Sequence, residues 1–156
     1  MYWVTKRGIK INRAATAWLI RRFIDPDATF VFVRAAEVAE TASRLGGIGF
    51  HAPKTDYPSR DTLGRTPFEA LVAERCSDDA GLLAMAAIVR DADQPREGEV
   101  PEAAGLRLIS GAFALIESDD AQIVERSAFM YDAMYAALLS QGEFARPRHI
   151  AGLVHN

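Results

Sequence analysis

The sequence predicts an α/β to α+β fold, with a small three-stranded, mainly parallel sheet in βαβαβ order at the N-terminus and a C-terminal bundle of about four helices. Three observations predict it. Strand-like and helix-like segments alternate from residue 2 to residue 51, and such alternation implies a parallel sheet with right-handed crossovers. An aperiodic stretch, APKTDYPSRDTLGRTP at residues 52–67, then breaks the pattern. Beyond it the apolar spacing is helical.

Each element has its own signal. YWVTK, residues 2–6, is aromatic and β-branched and reads as a strand. Gly8 allows a turn, and Asn12 stands in N-cap position for a helix over residues 13–24. DPD, residues 25–27, ends that helix, because the residue before a proline avoids the α region. TFVFVR, residues 29–34, is almost entirely apolar, as strands buried on both faces are. A second helix over residues 35–45 is closed by Gly46-Gly47, and IGFH, residues 48–51, reads as a third strand. Pro67 suits a helix's first turn. Helical segments follow at 67–76, 78–93, 101–117 and 119–142, the last with Gly142 as its cap. The chain reads as a single domain over 1–156. It comprises an α/β lobe (1–52), a loop (53–67) long enough to be functional or a lid, a helical lobe (68–142) and a tail (143–156).

Composition narrows the function classes. The chain of 156 residues is 49% hydrophobic and 25% charged, a globular composition. No apolar run is long enough to span a membrane, no signal peptide is apparent, and a single cysteine, Cys76, excludes an internal disulfide. Cys76 reads as a buried structural thiol. The net charge of −3 is unevenly spread. Residues 1–34 hold seven cations and two anions, +5, so the remainder carries −8. A basic start on an acidic chain points to a local anion site, and nucleic-acid domains are usually basic throughout.

That basic start has a predicted geometry. Ligands of open α/β sheets bind at the carboxyl ends of the strands. Lys6 and Arg7 end the first strand, Arg34 ends the second and His51 the third, while Arg13 lies in the first turn of the first helix. Helix N-termini favour anions through their free N–H groups. These five residues are the predicted ligand set for a small oxyanion. The four Lys and Arg residues also have ordinary readings. Arg13 would pair with a buried acid such as Asp132, Lys6 and Arg7 with Lys10 would form a solvated loop, and Arg34 would be a plain strand-end cation.

Other chemistry is thinner. Asp132 borders an apolar stripe of Val124, Ala128, Tyr131, Tyr135 and Leu138, where a carboxylate needs an arginine partner. Asp91 and Asp93, in VRDAD, read as turn-capping residues. No cofactor is expected. The alternative is a metal-dependent enzyme using His51, Asp61 and Glu69, with Asp56 nearby and the 52–67 stretch as lid; His149 and His155 lie in the tail. A third reading is an interaction module that binds a partner or forms a homodimer through Phe129, Met130 and Met134.

The blocks WVT, NRAATAWLIRRFIDPDATFVFV, IVRDAD, PEAAGL and YDAMYAALL, spread from Trp3 to Leu139, resemble the ChrB-type chromate-resistance domain family. The resemblance implies a bacterial cytoplasmic protein tied to chromate resistance as a chromate-responsive regulator. The DNA-binding role of longer relatives, carried by an additional N-terminal region, is not expected here. The matching positions are Arg13, Trp18, Arg21, Arg22, Asp25, Arg90, Asp93 and Asp132. Asn12 and Thr16 depart from the family's Asp and Cys, and YPSRDTLGRTPFE lacks its His and Cys. These departures move the expectation from thiol or metal chemistry to the basic cluster, and chromate is a doubly charged tetrahedral oxyanion. The expected function is therefore binding or sensing of a chromate- or sulfate-like anion in the regulation of resistance.

Overall fold

The computed structural model describes residues 1–144. Strand β1 (Tyr2–Lys6) lies in the middle of a three-stranded sheet, parallel to β2 (Thr29–Val33) on one side and to β3 (Ile48–Gly49) on the other. Val4 faces Val31 across one pairing and Gly49 across the other. The alternation of side chains along the strands serves two cores. Trp3, Phe30 and Phe32 face the main one, while Val4, Val31 and Val33 pack on Val38 and Ala42 of helix α2 (Val38–Leu45). β2 is half-buried rather than covered on both faces, because it occupies the sheet edge. The strand buried along its centre is β1.

Helix α1 (Ile11–Leu19) begins before Asn12, so Asn12 is a buried first-turn residue and not the N-cap. The helix continues into a π-helical turn, Ile20–Ile24, closed where Asp25 N–H donates to Ile20 O at 2.7 Å. Every residue from Asn12 to Ile20 is buried. α1 lies against α3 (Pro67–Arg75), α4 (Ala80–Asp93), α5 (Pro101–Gly111) and α6 (Asp120–Phe144). These four helices bury it. Trp18 meets Phe23 edge-on, packs at a tilt against Tyr131 and Tyr135, and donates to Asp132 Oδ1 at 2.8 Å.

Local chemistry sets most of the boundaries. Gly46 closes α2 in the left-handed region at φ 59°. A side chain at Gly47 would come within 2.5 Å of the Tyr2 carbonyl oxygen, so the close approach of α2's end to β1 requires glycine. Thr66 and Glu69 form a reciprocal capping box at the start of α3, with Pro67 in its first turn. Asp79 caps α4 by accepting from Leu82 N–H at 2.8 Å. α5 stops at Gly111, short of the expected 117, and a 3₁₀ turn, Phe113–Leu115, follows. α6 runs through Gly142 to Phe144, so Gly142 is not a cap. Cys76 is half-buried at the end of α3 rather than enclosed. His149 and His155 lie outside the described residues. Among the described residues no helix is long and apolar enough to cross a membrane.

The residues between β3 and α3 are not a loose lid. Phe50 bridges Tyr57 in parallel, Tyr57 O accepts from His51 N–H at 2.7 Å, and Asp56 accepts from Gly49 N–H at 2.9 Å. Asp61 accepts from the backbone of Leu63 and Arg65 and pairs with the Arg65 side chain at 2.7 Å, closing the next turn.

Asp91 holds the α4–α5 joint. Fully buried, it accepts from Arg96 Nε at 2.8 Å, Arg90 Nε at 3.0 Å and Val100 N–H at 3.1 Å. The Arg96 hydrogen bonds, helped by Arg90, hold its carboxyl well below the usual range despite burial. The stability this contributes is present above the unfolded carboxylate value of roughly 3.9 and is lost as pH falls through and below it. Asp91→Ala should cost about 1–3 kcal/mol, since it removes the charged acceptor shared by the half-exposed Arg90 and Arg96 side chains and the Val100 amide. Urea denaturation at pH 7 measures the loss, and it should shrink at acid pH.

Candidate functional site

The strand order places the candidate site. In the order β2-β1-β3 the two crossovers run in opposite directions across the sheet, which puts the switch point between the carboxyl ends of β1 and β3, where ligands of open α/β sheets bind. Lys6 ends β1, and His51 follows β3 with only Phe50 between. Arg13 enters from the first turn of α1. Asp93, last residue of α4, and Arg60, from the segment folded back by the Phe50–Tyr57 bridge, join them.

The charges of these groups act on one another. The His51 pKa is lowered to about 4 by burial first, then by the charges of Arg13, Lys6 and Arg60. Burial, together with Arg13, lowers the Lys6 ammonium. Burial also lowers Arg13, against the pull of Asp93 and Asp120. Asp93 is raised by burial, with Arg60, Arg13, Lys6 and Lys10 opposing.

The hydrogen bonding of this group is incomplete. Arg13 is 8% exposed, and its Nη2 donates to the Gly8 carbonyl. Its Nε is buried with no partner. His51 places Nδ1 3.2 Å from Ser59 Oγ, and its buried Nε2 has no partner. Arg60 Nη1 is a third such nitrogen, and Nδ2 of Asn12, next to Arg13, is a fourth. Among the described residues no acid pairs with Lys6, Arg13 or Arg60, and Asp93 itself accepts no hydrogen bond. Unpaired buried donors are costly. Two non-glycine residues here hold positive φ, Ile11 at 36° and His51 at 60°, and such strain concentrates at functional sites.

The remaining predicted residues lie elsewhere. Arg34, after the edge strand, is exposed and paired with Glu37 in a local cap. Arg7 is exposed, and its Nε reaches the Phe32 carbonyl at 3.4 Å. Strand order carries Arg34 to the far edge, and Arg7, although it follows Lys6, turns its side chain to β2 at the Phe32 carbonyl. The amides at the start of α1 are also occupied: Asp120 accepts from Gly8 and Ile9 N–H at 3.0 and 2.7 Å, and Ser110 Oγ from Ile11 N–H at 2.8 Å.

Of the supporting residues, Arg22 and Trp18 both bond Asp132, so that acid's partner is Arg22 and not Arg13. Arg90 pairs with Asp91 and lies 3.5 Å from Glu69. The set His51, Asp61 and Glu69 is not brought together. Asp61 closes its turn with Arg65, Glu69 caps α3, and among the described residues no three His, Cys, Asp or Glu side chains converge. Arg60 and Lys10 were not in the predicted set. The signal for Arg60 was its position in the segment after the third strand, where a basic residue returns to the strand ends. On the far side of the bundle, Ile109, Phe113, Ile116, Ile123 and Met130 line an apolar groove of about 280 Å³, with Phe129 81% exposed nearby.

The sequence model of the "ChrB, C-terminal domain" family matches residues 3–138. Protein ChrB of Cupriavidus metallidurans is 30% identical over 149 residues, which is 94% of this chain and 41% of that protein. The chain thus spans about two fifths of the length of the curated relative it matches. No solved structure matches.

His51 makes stability depend on pH. Its ring is buried neutral with a pKa of about 4, against roughly 6.5 unfolded. Between these values the unfolded chain binds more protons, so stability is full above pH 6.5 and falls as the pH drops towards 4. Between pH 7 and pH 5 the loss should be about 2 kcal/mol. Urea titrations of the wild type and His51→Gln measure it, and the variant should lack that slope.

Proposed function

We propose, for this chain, which belongs to the ChrB C-terminal domain family, that it acts in chromate resistance by binding a small tetrahedral oxyanion between Lys6, Arg13, His51 and Arg60, with the bound state serving regulation. The observation that carries this reading is the set of buried nitrogens on Arg13, His51 and Arg60 that lack acceptors. They come from α1, the residues after β3 and the segment before α3, and their charges act on one another.

An oxyanion matches this set chemically. It presents several acceptor oxygens to several donors and neutralises cations that no internal acid meets. It would also give Nε2 of His51 an acceptor, provided Nδ1 accepts from the Ser59 hydroxyl. Preference for an anion over a cation follows from Lys6, Arg13 and Arg60, which together outweigh Asp93. Chromate fits by charge and shape, and the family membership supports it. The departures at Asn12 and Thr16 leave the proposal independent of thiol chemistry.

Thermal denaturation at low salt tests the reading. At a hundredfold excess over Kd, chromate should add about 2.7 kcal/mol. That raises the melting temperature by roughly 5–10 °C. Arg60→Gln should lose most of the shift. A melting temperature unmoved by any tetrahedral oxyanion sinks the proposal.

A further inference from the structure

Asp93 behaves unlike the other acids near the core. Asp61, Asp91, Glu69 and Asp132 each accept hydrogen bonds and sit within ion-pair distance of an arginine. Asp93 is half-buried at the end of α4, a helix packed against α1, and the charges of Lys6 on β1, Lys10 and Arg13 at the start of α1, and Arg60 after β3 all act on it. His51 lies in the same field. Yet among the described residues Asp93 makes no ion pair and accepts no hydrogen bond. A carboxylate serving only to neutralise these cations would close onto one of them, as its neighbours do. This one closes onto none of them, while Arg13 and Arg60, whose charges act on it, each keep a buried nitrogen without a partner.

A carboxylate beside an anion site repels a fully ionised dianion, because two negative charges at close range are strongly unfavourable away from bulk water. It attracts an anion that still carries a proton, because the ligand hydroxyl then donates to it in a charge-assisted hydrogen bond. Sulfate carries no proton near neutral pH. Chromate and phosphate, of the same tetrahedral shape, do.

We propose that Asp93 is the specificity-determining residue of the oxyanion site, accepting the hydroxyl of a protonated tetrahedral oxyanion so that the site takes hydrogenchromate- or hydrogenphosphate-type anions and rejects sulfate. This rests on the oxyanion reading above. The cationic side chains receive the ionised oxygens, and Asp93 receives the protonated one. The proton stays between ligand and carboxylate, and where the ligand is ionised in solution one proton is taken up from the buffer. Burial, which already raises the Asp93 carboxyl against the pull of Arg60 and Arg13, favours holding that proton.

Calorimetric titration of the full chain with chromate, phosphate and sulfate at low salt tests the proposal, in the wild type and in Asp93→Asn. At pH 7 at least one of the protonatable anions should bind about a hundredfold or more tighter than sulfate, as sites built around a ligand hydroxyl discriminate against analogues lacking it; whichever is tighter identifies the ligand class. In Asp93→Asn the amide donates where the carboxylate accepted, so sulfate should tighten at least tenfold and the preference should collapse. Repeating the chromate titration of the wild type at pH 8, in two buffers of different ionisation enthalpy, should show close to one proton taken up per anion, a readout that does not depend on the variant folding. A wild type that binds sulfate as tightly as both other anions, a preference unchanged in Asp93→Asn, or chromate binding without proton uptake overturns the proposal and leaves oxyanion binding intact. Absence of binding by all three anions overturns the oxyanion reading and this proposal with it.

Discussion

The charge on Arg13 lies where water scarcely reaches, and the rest of the site depends on how that charge is met. The helix that carries it is buried along its length among α3, α4, α5 and α6, and the side chain is 8% exposed, unlike that of a surface arginine. Its hydrogen-bond partner is the carbonyl of Gly8, a neutral acceptor. A buried cation without a carboxylate is expensive. It persists where the fold over-determines its position, and here the fold does so by packing α1 on every side.

Elsewhere the molecule spends its basic residues on internal acids. Arg21 meets Glu125, Arg22 meets Asp132, Arg34 meets Glu37, and Arg90 and Arg96 converge on Asp91. These pairs join α1 and its π-helical extension to α6 and fix the turn after α4. The exposed ones contribute little individually, but they sort the cations. Among the cations that no acid pairs with in the described residues, Lys6, Arg13 and Arg60 act together on His51 and Asp93. Asp120 shows the fold's own use of a carboxylate near that place, since it fills the Gly8 and Ile9 amides and leaves the side-chain donors unmet.

Much of this was legible along the chain, because local rules wrote it. The alternation to residue 51, the glycine closing α2, the proline opening α3 and the apolar stripe through Tyr131 each follow from the chemistry of a few neighbouring residues. Lys6, Arg13 and His51 were readable as rim residues for the same reason: a parallel strand delivers its last residue, and the next helix its first turn, to one edge.

Strand order was not legible, because it is decided by which helix covers which face. With α1 on one face and α2 on the other, β1 takes the centre, so Lys6 and His51 become neighbours and Arg34 is carried to the outer edge, where Glu37 claims it. The part played by Arg60 likewise needed the Phe50–Tyr57 bridge, which turns an irregular segment back over the strand ends. The sequence by itself determined the elements, the parallel sheet and the surplus of cations near its start, since these follow from spacing and composition. Only the tertiary structure decided which cations remain unpaired, because pairing depends on distances across the fold that no local pattern encodes.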